Sequence, residues 1–197
     1  MGYRYEVFLS YRRVRLVQDW LDPFLELFRD WLSEELAAFE YRFQSESLVA
    51  RICRDVDVVP AGALWPEALK EAARDSRCAV AILCPSYFQS EPCLAEFETF
   101  RRRGPGLLVP VRFHDCDEWV KRPENPTAFD LSEFTSTARG TARWDLFHDR
   151  VKCLAGWVAQ AVVKAPPYPV DGRFPSSWIA PENRGVSSAP TVLQRSL

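Results

Sequence analysis

The stretch Cys78-Ala-Val-Ala-Ile-Leu-Cys84 constrains this chain more than any other. A strand with one face in water alternates apolar and polar residues, whereas this run has no polar residue at all. Lack of alternation means cover on both faces, the environment of a central strand in a parallel sheet. Such a sheet needs helices above and below it, so the rest of the chain has to supply them.

The flanking segments read accordingly. Tyr5–Ser10 is a first strand. Trp20, Phe24, Leu27, Phe28 and Trp31 recur at helical spacing, which predicts a long helix from Leu16 to about Phe39. Pro23 is tolerated only in a first turn, so the expected helix start lies near Asp22. A weak strand at Arg51–Cys53 leads into DVDVVPAGALW, a loop punctuated by Pro60 and Gly62. A helix begins near Pro66 and carries Ala68, Leu69, Ala72 and Ala73. Beyond the central strand, Ser90, Glu91 and Pro92 form a helix start with a capping hydroxyl, an acid at the positive end and proline in the first turn. That helix runs to about Arg103 and stops at Gly104-Pro105-Gly106. Leu107–Phe113 is the next strand, Ala128–Leu131 a weak one, and Trp144, Phe147, Val151, Leu154 and Val158 mark a closing amphipathic helix.

The expected class is α/β, a flavodoxin-like open parallel sheet of four to five strands with helices on both faces. Residues 1–164 form the domain. Residues 165–197, with Pro166, Pro167, Pro169, Pro175, Pro181 and Pro190, form a proline-rich tail that either wraps the domain or is disordered. Ligands of such sheets bind beyond the carboxyl ends of the strands.

The net charge of −2 argues against nucleic acid as a partner. No apolar run approaches the roughly 18 residues that cross a bilayer, which argues against a membrane span. Met1 leads into a strand without a basic start or small-residue cleavage site, so the expected location is cytoplasmic. The six cysteines form no CxxC pair, and His114 and His148 have no partner ligand at a usual spacing. The cysteines therefore read as structural thiols, with neither a disulfide framework nor a metal site expected.

Several enzyme signatures are absent. Gly104 and Gly106 precede a strand, whereas the dinucleotide fingerprint follows one, and there is no P-loop. The first and third strands end in Ser10-Tyr11-Arg12-Arg13 and Cys84-Pro85, not in the acids of a phospho-acceptor site. Two adjacent arginines at the end of a buried strand suit an anion, unless they are only a solvated loop.

Four segments at the expected ligand edge belong together: SYRR at Ser10–Arg13, DVDVVPAGALW at Asp55–Trp65, ILCPSYFQS at Ile82–Ser90 and EPCLAEF at Glu91–Phe97. In this order, over about Tyr5 to Val163, the chain resembles the TIR (Toll/interleukin-1 receptor) domains, in particular the bacterial NAD+-cleaving branch. The family has an apolar strand ending in Ser-Tyr, then an Asp-rich turn and Gly-containing loop. An apolar strand with a Ser-Pro-x-Tyr-x-x-Ser turn follows, and a Cys precedes a Glu by one helical turn.

The resemblance implies an NAD+ glycohydrolase or cyclase that cleaves the nicotinamide–ribose bond, activated by assembly of several TIR domains and acting in bacterial antiphage immunity. Its essential glutamate corresponds to Glu96, while Glu98 fits the spacing less well. One carboxylate suffices chemically, because nicotinamide leaves NAD+ as a neutral molecule and needs no acid, unlike most glycoside leaving groups. What needs stabilising is the cationic charge developing on the ribose, which a facing carboxylate does electrostatically. NAD+ is the substrate, so no further cofactor is required.

The same resemblance carries Tyr11, Arg12 and Arg13 over as contacts to the substrate, with the arginine pair on the pyrophosphate. It places Phe8 and Ser10 on the cleft floor and makes Trp65 a candidate to pack on base or ribose, the alternative being a core tryptophan. Val58–Leu64 matches the loop that gates the cleft and contacts a neighbouring TIR domain. The chain lacks the tryptophan that many members carry beside the cysteine, and its segment between SYRR and Asp55 is long. The partners implied are NAD+, other copies in a homo-oligomer when active, and a separate sensor or effector protein. Two alternatives stay open: a scaffold that binds other TIR domains without catalysis, including one that interferes with signalling, and a nucleotide sensor without turnover.

Overall fold

The computed structural model describes residues 2–43, 49–54, 65–116, 127–136, 139–170 and 173–175, leaving aside the side chains of residues 43 and 65–67. In chain order these form β1 (Tyr5–Tyr11), α1 (Arg15–Phe43), β2 (Ile52–Cys53), α2 (Trp65–Arg74), β3 (Ser76–Leu83), α3 (Glu91–Arg103), β4 (Leu108–Arg112) and β5 (Phe129–Asp130). A short 3₁₀ turn (Ser132–Phe134) and α4 (Ala142–Lys164) complete them. The five strands lie in the order β2-β1-β3-β4-β5, and every pairing is parallel. This is the flavodoxin-like order, whose reversal of winding falls between β1 and β3.

β3 occupies the centre, as its uniform apolar run predicts, and Ala79 to Leu83 are all buried to within 1%. Its register with β1 pairs Phe8 with Ala79 and Ser10 with Ala81. α1 packs along α4 over one face, while α2 and α3 cover the other. On the first face Trp20, Phe24 and Phe28 stack in succession on α1 (centroids 4.6 and 5.3 Å), and Phe113 and Phe147 close on Trp20.

The start of α1 differs from expectation. The helix begins at Arg15 and carries Pro23 in its interior. Pro23 leaves Asp19 without its usual helical donor, a local cost of about 3 kcal/mol. Burial of Val17, Trp20 and Leu21, together with the bond from Trp20 Nε1 to the Phe134 carbonyl (3.2 Å), holds the turns before the proline in place. Tertiary packing thus outweighs the local break.

The tail begins by folding back. Tyr3 donates its hydroxyl to the Pro166 carbonyl (2.9 Å), Tyr168 donates to Asp75 (3.1 Å), and Phe174 lies against the Arg103 guanidinium at 5.8 Å. These contacts all lie at the amino-terminal edge of the sheet. Among the described residues no helix is long and apolar enough to cross a membrane.

Candidate active site

The site sits at the opposite edge, where β1 ends and α3 begins. Ser90 caps α3, accepting the Cys93 amide, with Pro92 in the first turn and Glu91 at the positive end, as the sequence predicts. From there α3 runs back across the sheet, antiparallel to β1. Residues four apart on a helix rise about 6 Å, close to the spacing of alternate residues on a strand. Glu96 and Phe100 therefore meet Ser10 and Phe8 in turn. Ser10 Oγ donates to Glu96 Oε2 at 2.6 Å, and the Phe8 and Phe100 rings stack at 5.8 Å.

Tyr87, in the turn after β3, comes in from the side. Its hydroxyl lies 2.7 Å from Ser10 Oγ and 3.0 Å from the Cys93 carbonyl, and the ring is wholly buried. Beyond β1, Arg12 donates to Ser90 Oγ at 3.3 Å. A cleft of about 80 Å³ opens between these elements, lined by Tyr11, Arg12, Arg13, Ser90, Cys93 and Glu96 among others.

The electrostatics follow from burial beside a carboxylate. Burial pushes the Tyr87 phenol well above its ordinary value, and the neighbouring Glu96 adds to the shift. The Cys93 thiol is pushed up to about 12 by burial first and Glu96 second. Both groups keep their protons at neutral pH, so Glu96, half-buried in the wall, and the exposed Arg12 and Arg13 supply the charge of this cleft among the described residues.

The structure brings together Glu96, Ser10, Tyr11, Arg12 and Arg13 from the residues named on sequence. Phe8 is a correction. It has no exposed surface and supports Phe100 one layer below the cleft, while Ser10 on the same strand face is 1% exposed and reaches the cleft only through its bond to Glu96. Trp65 opens α2, but its side chain lies outside the described residues, as does the whole of the Val58–Leu64 loop. Glu98 points elsewhere and pairs with Arg101 at 2.7 Å, which separates it from Glu96. Tyr87 was legible only as part of a motif; its signal as a site residue is a polar ring between two apolar elements. No group of three or more histidine, cysteine or acidic side chains is placed to hold a metal among the described residues.

A family model for the TIR domain matches residues 7–144, a span that contains every side chain of this cleft. The chain belongs to the TIR domain family, whose members interact with one another in signalling and include enzymes that cleave NAD+. Among solved structures it is similar to the TIR domain of the Toll-related receptor TRR-2 from the lower metazoan Hydra magnipapillata. The two share 16% identity over 74% of this chain and 98% of that one, with a TM-score of 0.41. No curated protein matches the chain.

Proposed function

We propose that this TIR domain is an NAD+ glycohydrolase or cyclase, with Glu96 as the reacting carboxylate. The observation that carries this reading is the pairing of a half-buried Glu96, fixed by Ser10 at 2.6 Å, with Arg12 and Arg13 on the same cleft. That combination offers negative charge to one part of a ligand and positive charge to another.

NAD+ has the complementary pattern. Its pyrophosphate suits the guanidinium fork of Arg12 or Arg13, and Tyr11 closes that end of the cleft. Its ribose then faces Glu96. As the bond to nicotinamide lengthens, positive charge grows on the anomeric carbon and ring oxygen, while the leaving group becomes neutral. A fixed carboxylate is worth most at that moment, because it needs no reorganisation. Attack by water gives ADP-ribose; attack from within the same molecule gives a cyclic product.

Assembly belongs to this reading. The Val58–Leu64 loop is assigned, from the family resemblance, to close the cleft and to meet a neighbouring TIR domain, so activity requires association of copies or a separate sensor. Such an enzyme would act in the cytoplasm, in bacterial antiphage defence, by depleting NAD+ or releasing a signal.

The test is NAD+ incubated with the protein over a wide range of protein concentration, with chromatographic identification of products. The reading predicts nicotinamide plus ADP-ribose or a cyclic isomer, at a specific rate that rises with concentration. Absence of nicotinamide at every concentration, including with crowding agents, would leave a non-catalytic domain that binds other TIR domains.

A further inference from the structure

The protons around Glu96 can be counted. Three contacts link four oxygens in a row: Glu96 Oε2 to Ser10 Oγ (2.6 Å), Ser10 Oγ to the Tyr87 hydroxyl (2.7 Å), and that hydroxyl to the Cys93 carbonyl (3.0 Å). Ser10 and Tyr87 bring one proton each, and neither a carbonyl nor an ionised carboxylate brings any. With Glu96 ionised, two protons serve three contacts. With Glu96 protonated, all three fill, but every bond then points the other way, from Glu96 through Ser10 and Tyr87 to Cys93.

The Ser10–Glu96 bond fits the first arrangement. Ser10 donates to Glu96 Oε2 at 2.6 Å, within the roughly 2.5–2.7 Å range of a hydroxyl on a carboxylate. The Tyr87 proton then has two acceptors within reach, Ser10 Oγ at 2.7 Å and the Cys93 carbonyl at 3.0 Å. The nearer is Ser10, and the Cys93 carbonyl already has the α3 helical ladder for a donor. Ser10 is 1% exposed and Tyr87 0%, so water does not compete for either proton. Burial also keeps the Tyr87 phenol protonated far into alkaline solution.

We infer that Tyr87 and Ser10 are positioning residues, forming a directed relay from Tyr87 to Ser10 to Glu96 that holds the carboxylate ionised and in one orientation at the cleft. No proton is transferred; the relay supplies donors. The inference rests on the reading of Glu96 as the reacting group. Arg12 and Arg13 beyond β1 act in the same direction as the relay, favouring ionised Glu96. The other titratable neighbours are Cys84 after β3 and Cys93 on α3, with the Cys93 thiol held neutral. On α2, Glu71 and Arg74 act on Tyr168 and Arg103 at the far edge, leaving Lys70 as its remaining described charge. Arg112 at the end of β4 is engaged by Asp115 and Asp130.

The experiment is a carboxyl ¹³C titration of glutamate-labelled protein, with the Glu96 resonance assigned by its loss in Glu96→Gln. The relay predicts that Ser10→Ala raises the Glu96 pKa by about one pH unit, and that Tyr87→Phe raises it by less. The acid limb of NAD+ turnover should move upward with it. An unchanged or lowered pKa in Ser10→Ala overturns the relay, because the reversed arrangement predicts lowering. Tyr87→Phe keeps the ring volume and serves alone if Ser10→Ala fails to fold, and an unmoved titration there overturns the inference equally. An upward shift in a protein that never cleaves NAD+ retains the relay and rejects the enzymatic reading. Glu96-dependent turnover with no shift rejects the relay alone.

Discussion

Arg12 donates to the Ser90 hydroxyl at 3.3 Å, and that same oxygen caps α3 by accepting the Cys93 amide. One hydroxyl thus ties the arginine end of β1 to the helix that carries Glu96. Replacing Ser90 with alanine should cost about 1 kcal/mol through the lost cap, lowering Tm by about 3 °C. It should also release Arg12 and raise KM for NAD+. Ser90→Thr, which retains a cap, should restore most of both. Scanning calorimetry beside steady-state kinetics checks this, and a normal KM in Ser90→Ala would detach Arg12 from substrate binding.

Glu6 lies in β1 with no exposed surface, and Arg51 satisfies it three times, through its amide (3.1 Å), Nε (3.1 Å) and guanidinium nitrogen (2.8 Å). Removing the side chain in Arg51→Ala strands a buried carboxylate, whereas Glu6→Gln with Arg51→Ala removes the charge as well. The single change should destabilise by about 2–3 kcal/mol, and the double change should recover part of that loss. Urea unfolding of the two variants beside the unaltered protein measures it. Equal losses would mean the ion pair is solvated.

The start of the tail belongs to the folded unit. Phe174 lies over Arg103, which is 7% exposed, crosses the Phe100 ring at 4.4 Å and donates to the Ala73 and Ser76 carbonyls (2.5 and 2.9 Å). Burial lowers this guanidinium to about 10, so it depends on its remaining partners. Truncation after Lys164 removes Phe174 together with the Tyr168–Asp75 and Tyr3–Pro166 bonds. The loss should be on the order of 2 kcal/mol. Truncation after Pro175 should cost less. Urea midpoints of the two truncations decide where the domain ends.

Alkaline solution should weaken the fold from about pH 9. The Cys93 thiol ionises near 9.0 when unfolded but near 12 when folded, owing to burial and then Glu96. Its contribution is therefore complete below pH 9 and disappears as pH climbs through 12, since only the unfolded chain releases the proton in that window. The urea midpoint should fall between pH 9 and pH 11, less steeply in Cys93→Ala. Parallel slopes in the two proteins would place the loss elsewhere.

The elements whose residues announce their own surroundings were legible in the sequence. The unbroken run at Cys78–Cys84 marks a strand covered on both faces, and Ser90-Glu91-Pro92 marks a helix start to the residue. Glu96 was singled out through a motif, and the half turn of helix that separates it from Glu98 sends the two side chains to different partners. What was not legible depends on distant partners. The α1 start at Arg15 rests on a bond between residues 114 positions apart, against the local message of Pro23. Phe8 and Ser10 look alike as cleft residues, but both are buried, one against Phe100 and the other against Glu96 and Tyr87. Glu6 gives no sign in a strand of being paired with Arg51, because only the β1–β2 pairing brings them together.

The central claim is that the charge of Glu96 drives cleavage of NAD+. Glu96→Gln tests it most directly, since the amide keeps the shape of the side chain and a contact to Ser10 while removing the charge. Nicotinamide release should fall by about 100-fold or more, the scale of losing one electrostatic stabiliser, with Tm nearly unchanged. Release within a few-fold of the wild-type rate in a fully folded Glu96→Gln would contradict the account.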